Sequence, residues 1–504
     1  MRPTTRFGVA ILLIAVAATF AVGEKYDVGV HKSIRERLDA FGSTDAVITF
    51  RKDANLSKMS SALPDDLTRE DMRWNVYHFL TSHRDEQQRR VLNYLEGENV
   101  EFESFWIANV ITVGNISKKV LNGAIKCCRK DIKSVVPATN LKRVVPKKLQ
   151  NDAGKSSVTL AWNIEKINAD KCWAKGKNGT GVVVATLDGG VRYTHESLVH
   201  GYRGHNEDGS FSHDYNWNDW AYQNKVPFDS EGHGTNVQGI ATGSFSSGIG
   251  VAPGAKWISG KIFNYAGYSA TKWTLGGCQW VMCPSPVNQP GKSENCSLGA
   301  DVVSCSWGED DATEPYLKKI VSAWLKGGIV PVFAVGNSGP QCGTSVSPSD
   351  YSGVVGVGAT SSSDDILGFS SRGPAAINGS GVRFQKQAAV SDLPYTELAP
   401  AIVAPGFDIQ GPSYKDDNGY SGMSGTSQAA PHVAGVAAIL LSENSKLTPM
   451  DVRKALYSGA STESLQDPDT GSDHCGGVPW NKFPNYVYGW GRLDCEGALA
   501  SLES

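Results

Sequence analysis

Four short apolar runs, at 182–187, 301–306, 329–335 and 354–359, recur in the later part of the chain. Gly-rich turns and helical patterns such as 314–327 lie between them. A strand that is apolar at consecutive positions has to be covered on both faces. When such strands alternate with helices, the arrangement is a parallel sheet between helical layers. Parallel strands need crossover connections, so their carboxyl ends gather on one edge, where open α/β sheets carry their sites. The pattern predicts an α/β domain over 158–504.

Residues 24–141 read differently. A strand-like run at 46–51, an amphipathic helical pattern over 68–95, a second strand over 105–113, a helix over 117–127 and an extended stretch at 132–137 make a small α+β unit. Residues 142–157 are basic, polar and poorly periodic, and read as an exposed linker of the kind proteases cut. Before all of this, Arg2 and Arg6 precede an uncharged run at 7–20, with small residues at Ala21 and Gly23. That is the pattern of a secretory signal over 1–23; the run is short for a membrane anchor.

In a secreted chain, ten cysteines imply disulfides. Adjacent Cys127 and Cys128 are expected not to pair with each other. Cys283–Cys296 and Cys475–Cys495 are the expected bridges, because each closes a loop-like segment. Five N-x-[ST] sequons, at Asn55, Asn115, Asn178, Asn295 and Asn378, fit the same route. A net charge of −3 argues against general nucleic-acid binding.

Four positions carry chemistry. The run at 182–187 ends in Asp188, at the carboxyl end of a buried strand. His233 lies between two glycines just before a helical pattern. The run at 329–335 ends in Gly336-Asn337, where a side-chain amide can donate to a developing oxyanion. Ser427, in Gly425-Thr426-Ser427, opens the apolar helix 428–441, where backbone N–H groups and the helix dipole favour negative charge. Pro431 is placed in the first turn of that helix. His432 is the nearest histidine to Ser427, but five residues turn a helix by about 140° beyond one full turn. It therefore faces away, and His233 is the candidate base.

Asp188-Gly-Gly-Val, His233-Gly-Thr and Gly425-Thr-Ser-Gln-Ala-Ala-Pro-His-Val-Ala-Gly resemble the subtilisin-like serine proteases, in that family's Asp, His, Ser order. Asn337 matches the family's oxyanion asparagine. The stretches at 251–255, 306–308, 369–374, 403–406 and 488–494 also fit, and 162–173 is most similar to the bacillopeptidase F-like branch. The resemblance covers 158–504. It implies a three-layer subtilisin-like fold with a parallel central sheet, preceded by a small α+β propeptide. It implies a secreted endopeptidase with Asp188, His233 and Ser427 as catalytic residues, and Asn337 with the Ser427 amide as the oxyanion hole. Substrate-binding positions carried over are Ser304, Ser306, Trp307, Gly308, Ala334, Val335 and Gly336. None is acidic, so an uncharged, apolar or aromatic residue is expected before the scissile bond. No cofactor is expected for the chemistry, although the family allows a structural calcium. The expected partners are polypeptide substrates and the chain's own propeptide, with no nucleic acid and no membrane, and the expected state is a monomer.

The sequence also departs from the family. Asp-Thr-Gly becomes Asp188-Gly189-Gly190, His-Gly-Thr-His becomes His233-Gly-Thr-Asn236, the family's Pro-Asp becomes Pro400-Ala401, and 375–397 is an insertion. Two other readings stand beside the enzyme. A catalytically inactive subtilase-fold binding protein is disfavoured because all four chemical positions are filled. A sedolisin-type acidic peptidase would have Glu where His233 stands. His195 and His200 mimic a zinc-protease motif but are spaced five apart, off a common helix face. The polar loops beginning at His205 and His213 read as loops rather than metal sites.

Overall fold

The computed structural model describes residues 27–64, 66–144, 147–148, 160–309, 315–374, 398–468 and 474–503. The signal segment, the 375–397 insertion with Asn378, and most of 142–157 lie outside the described residues.

A seven-stranded sheet forms the centre. Its order is Ile402–Pro405, Val355–Thr360, Val330–Ala334, Val302–Cys305, Val183–Asp188, Lys256–Lys261 and Trp217–Asp219, and every pairing is parallel. Consecutive residues point into opposite cores. Val184, Val302 and Val332 pack with the Thr426–Glu443 helix, whereas Ala185, Val303 and Phe333 pack with Leu275, Leu317 and Trp324. The continuous apolar runs thus reflect two buried faces. From Val183–Asp188 the chain first lays down the edge strand Trp217–Asp219, then fills in Lys256–Lys261 beside Val183–Asp188, and then crosses to lay Val302–Cys305 on the other side. The strand order therefore reverses at the strand that ends in Asp188, the position where open α/β sheets form a crevice.

The N-terminal unit is a five-stranded sheet in the order Gly29–Val30, Ile132–Pro137, Ser43–Phe50, Val110–Ser117 and Phe102–Phe105. Its long helix, Arg69–Gly97, begins with a capping box in which Thr68 and Asp71 bond each other's backbone. The single strand expected over 105–113 is instead a hairpin. Phe102–Phe105 and Val110–Ser117 are joined by a turn at 106–109, with Asn109 at φ 50°. Trp106, Ile107 and Ala108 in that turn are buried among Leu317, Ile320 and their neighbours in the large domain. Their apolar character comes from docking rather than from a strand. Two guanidiniums strengthen the junction: Arg69 and Arg73 both reach the Asp301 carboxylate, at 2.9 and 3.3 Å.

The described part of the linker is not an exposed spacer. Asn140–Arg143 lies antiparallel between Tyr268–Ala270 and Trp307–Gly308, and Lys147–Lys148 pairs with Tyr420–Ser424. Leu141, Arg143 and Val144 are buried. The polar sequence conceals a strand because its pairing partners and the groups that bury its side chains lie far away in the chain.

Cys283–Cys296 is bridged as expected. The other expectations are corrected. Cys475 pairs with Cys342, and Cys495 pairs with Cys172. The Cys495–Ala500 helix packs on Ala169–Ala174, with the Cys495 amide on the Ile167 carbonyl at 2.8 Å, so Cys495 is turned away from Cys475. Adjacent Cys127 and Cys128, at the end of the Lys118–Cys128 helix, are joined to each other. Cys278 and Cys305 remain free thiols in the core, and burial raises both pKa values. Among the described residues no helix is long and apolar enough to cross a membrane.

Candidate active site

Asp188 ends its strand fully buried, and both carboxylate oxygens face His233 Nδ1, at 2.8 and 3.0 Å. Burial pushes the Asp188 carboxyl up. The His233 imidazole, its hydrogen bond, Arg143 and the Gly189 amide more than offset that, and the pKa lies below its ordinary value. Asp188 is therefore a buried anion that accepts a hydrogen bond from His233 Nδ1–H, which leaves the lone pair on Nε2. That Nε2 is buried and has no hydrogen-bond partner among the described residues.

His233 opens the His233–Thr242 helix, and the loop before it is held by a second, half-buried acid. Asp229 accepts from the amides of Glu231, Gly232 and Thr235 and from Thr235 Oγ1 at 2.7–3.0 Å. Gly232 sits at φ 94°, and a Cβ there would meet the Tyr414 ring at 2.4 Å, so no other residue fits this turn.

Ser427 is the second residue of the Thr426–Glu443 helix. The amide and hydroxyl of Thr426 donate to Asn337 Oδ1 at 2.9 and 3.0 Å, which tie the asparagine to the helix start. Pro431 does not lie in the first turn as expected but in the second, inside the helix. It has no N–H to give the Ser427 carbonyl four residues back, and Ser306 Oγ donates to that carbonyl instead, at 3.2 Å. A side chain thus repairs the bond the proline removes. His432 faces backward as expected: Nδ1 bonds the Gln428 carbonyl and Nε2 bonds Asn163 Nδ2, each at 2.8 Å. Burial lowers its pKa to about 4, so it stays neutral.

The linker strand crosses this site. Val144 donates its amide to the Ser306 carbonyl at 3.2 Å, and its own carbonyl accepts from Ser427 Oγ at 3.2 Å. Among the expected substrate-binding positions, Ser306, Trp307 and Gly308 act through their backbones, pairing with Val144, Arg143 and Lys142. The Trp307 ring is turned into the core, bonded to the Leu187 carbonyl and set edge-on to Phe333. Ser304, Ala334 and Val335 are buried, and the Gly336 carbonyl accepts from Thr426 Oγ1.

Sequence reasoning missed three neighbours. Lys261, a buried cation at the end of the Lys256–Lys261 strand, reaches the Gly189 carbonyl and Ser230 Oγ. Burial lowers its pKa against the pull of Asp229, Asp219 and Asp188. Arg143 and Glu231 form an ion pair beside Asp188. A lysine directly before the apolar pair Ile262-Phe263 and an acid two residues before His233 were the available signals. The zinc-like histidine is structural: His195 bonds the Gly419 carbonyl through Nε2 and Ser197 through Nδ1. Among the described residues no group of three or more His, Cys, Asp or Glu is placed to hold a metal ion.

The comparisons agree with this architecture. A family model described as the subtilase family matches residues 179–491. Bacillopeptidase F of Bacillus subtilis (strain 168) is 32% identical over an alignment of 448 positions that covers 83% of this chain and 28% of that protein. Serine protease AprX of the same organism is 33% identical, over 64% of this chain and 66% of its own length. Among solved structures, fervidolysin from Fervidobacterium pennivorans, a keratinolytic enzyme related to subtilisin, matches with a TM-score of 0.60 at 19% identity. The match covers 94% of this chain and 63% of that one, and supports the fold. The chain thus spans less than two thirds of the length of each of these three proteins. With more than half of its residues matched by the family model, the protein belongs to the subtilase family of subtilisin-like serine proteases.

Proposed function

We propose that this chain is a secreted, glycosylated zymogen of a serine endopeptidase, and that its first substrate is its own 144–145 bond. The observation that carries this reading is the Ser427 hydroxyl, 3.2 Å from a peptide carbonyl presented on an extended strand. Ser427 Oγ attacks the carbonyl carbon and its proton passes to His233 Nε2. The C–N bond breaks, and the imidazolium returns the proton to the leaving amine. Water then hydrolyses the acyl-enzyme by the same route. Asp188 keeps the imidazole in the required tautomer and stabilises the imidazolium. With Asn337 Oδ1 occupied by Thr426, its Nδ2 group is the side-chain donor for the oxyanion, and the Ser427 amide, in the first turn of its helix, is the second.

In this reading residues 1–23 direct secretion, 24–141 form the propeptide, 142–157 carry the processing site and 158–504 the peptidase domain. Val144, small and apolar, supplies the residue before the scissile bond, in keeping with a substrate-binding region that lacks acids. The test is expression of the wild type beside Ser427→Ala. The wild type should yield a fragment beginning at Val145 and react with an organophosphate; the variant should remain whole and unlabelled. A variant processed like the wild type, in a host lacking other proteases, would overturn the reading.

A further inference from the structure

Val144 is an ordinary aliphatic occupant of the cleft, but the residue before it is not. Arg143 is held by its backbone, its amide on the Gly267 carbonyl at 3.0 Å, while its side chain is buried and pairs with Glu231. The Glu231 side chain is 19% exposed. Burial lowers the Arg143 pKa, and Asp188 and Asp229 act against that, so three carboxylates surround the guanidinium. On the same side the balancing charge is Lys261, which is already engaged by Gly189, Ser230 and its own acids. Once the linker strand leaves, Glu231 faces the cleft without its cation. Any extended chain that takes the strand's place sets its corresponding side chain against an unneutralised carboxylate, and leaving such a group unpaired is costly.

A second observation points the same way. Gly189 stands where the family pattern has threonine. A Cβ at this position would lie 3.0 Å from Glu231 Oε1 and 3.6 Å from Asp229 Oδ1. Its φ is not in the left-handed region, so the glycine is not required by the backbone; it makes room for the carboxylate. The unusual Asp188-Gly189-Gly190 and the acid at 231 are one arrangement.

We propose that Glu231, with Gly189 as its clearance, is a specificity-determining residue that selects polypeptides with arginine or lysine at the second position before the cleaved bond. This rests on the peptidase function proposed above. The substrate class is extended chain of the form Leu-x-Arg/Lys-aliphatic, as the linker itself reads at 141–144. Leu141 is buried with Leu187, Leu275 and Trp307, and supplies the apolar anchor.

The experiment uses the secreted chain after self-processing, with internally quenched peptides carrying Asn-Leu-Lys-Arg-Val-Val-Pro-Lys-Lys and the same peptide with Ala or Glu in place of the Arg. For the wild type, kcat/KM for the Arg peptide is expected to exceed that for the Ala peptide by roughly tenfold to a hundredfold, with the Glu peptide lowest. Glu231→Gln is expected to bring the Arg-to-Ala ratio toward one, and Gly189→Thr to lower it. Equal rates for the wild type on Arg and Ala peptides would overturn the proposal, whether or not the variants fold; they would mean that the Arg143–Glu231 pair is a latch of the uncleaved chain only. A wild-type preference left intact in a folded Glu231→Gln variant would overturn the role of Glu231. If the wild type cleaved none of the peptides, nor a generic casein substrate, the peptidase reading itself would fail.

Discussion

Ser306 Oγ donates to the carbonyl of Ser427, the group that Pro431 leaves without its helical partner. All three residues are fully buried, so the contact holds the first turn of the helix in place without water. Ser306→Ala should destabilise the chain by about 1–2 kcal/mol, because it strands a buried acceptor. Pro431→Ala in that background restores an N–H and should return part of the loss. Urea unfolding of the single and double variants measures the coupling, and strict additivity would refute it.

Asn337→Leu keeps the size of the side chain and removes the amide. In the proposed mechanism the loss falls on the transition state, so kcat should drop by about 10²–10³ with KM changed only a few-fold, the scale of the equivalent loss in a subtilisin. Steady-state kinetics on one peptide decides; a change confined to KM would place Asn337 in ground-state binding.

His432 makes stability depend on pH. Its folded pKa of about 4 lies below the ordinary 6.5, so between these values the unfolded chain binds the extra proton. Its stability contribution is complete above pH 6.5 and is lost as pH falls toward 4, a difference of about 3 kcal/mol. The thermal midpoint of the wild type should therefore fall across that window. His432→Gln should flatten the fall, and an unchanged slope would count against the assignment.

Asp301 joins the N-terminal unit to the large domain through Arg69 and Arg73, with all three side chains at most 11% exposed. Asp301→Asn leaves two buried guanidiniums without their counter-ion, at a cost of about 3–5 kcal/mol. In the Ser427→Ala background this should appear as faster amide hydrogen exchange along Arg69–Gly97, with little change in the central sheet.

The sequence revealed what depends on local pattern. The strands Val183–Asp188, Val302–Cys305, Val330–Ala334 and Val355–Thr360 were legible because both of their faces are buried, and the Asp188, His233 and Ser427 motifs because each sits at a strand end or helix start. Features that depend on distant parts meeting were hidden. Trp106–Asn109 looked like strand because docking, not pleating, demanded its apolar residues. Cys475 and Cys495 looked like partners because a bridge between them would close a loop-like segment, whereas each reaches across the fold. The start of the 142–157 stretch looked like a spacer because Arg143 and Val144 are buried only by distant partners, Glu231 and the Ser306 backbone, which no local pattern announces.

The Asn140–Arg143 strand fills a slot between Tyr268–Ala270 and Trp307–Gly308, and its departure would leave two unsatisfied edges one strand-width apart on either side. Such a slot accepts only a stretch of polypeptide that can surrender its own internal bonding and lie straight. Under the proposed function, the susceptibility of a target is therefore set as much by how readily a segment peels away from its own fold as by its sequence, and the enzyme acts as a gauge of local looseness in the proteins it meets.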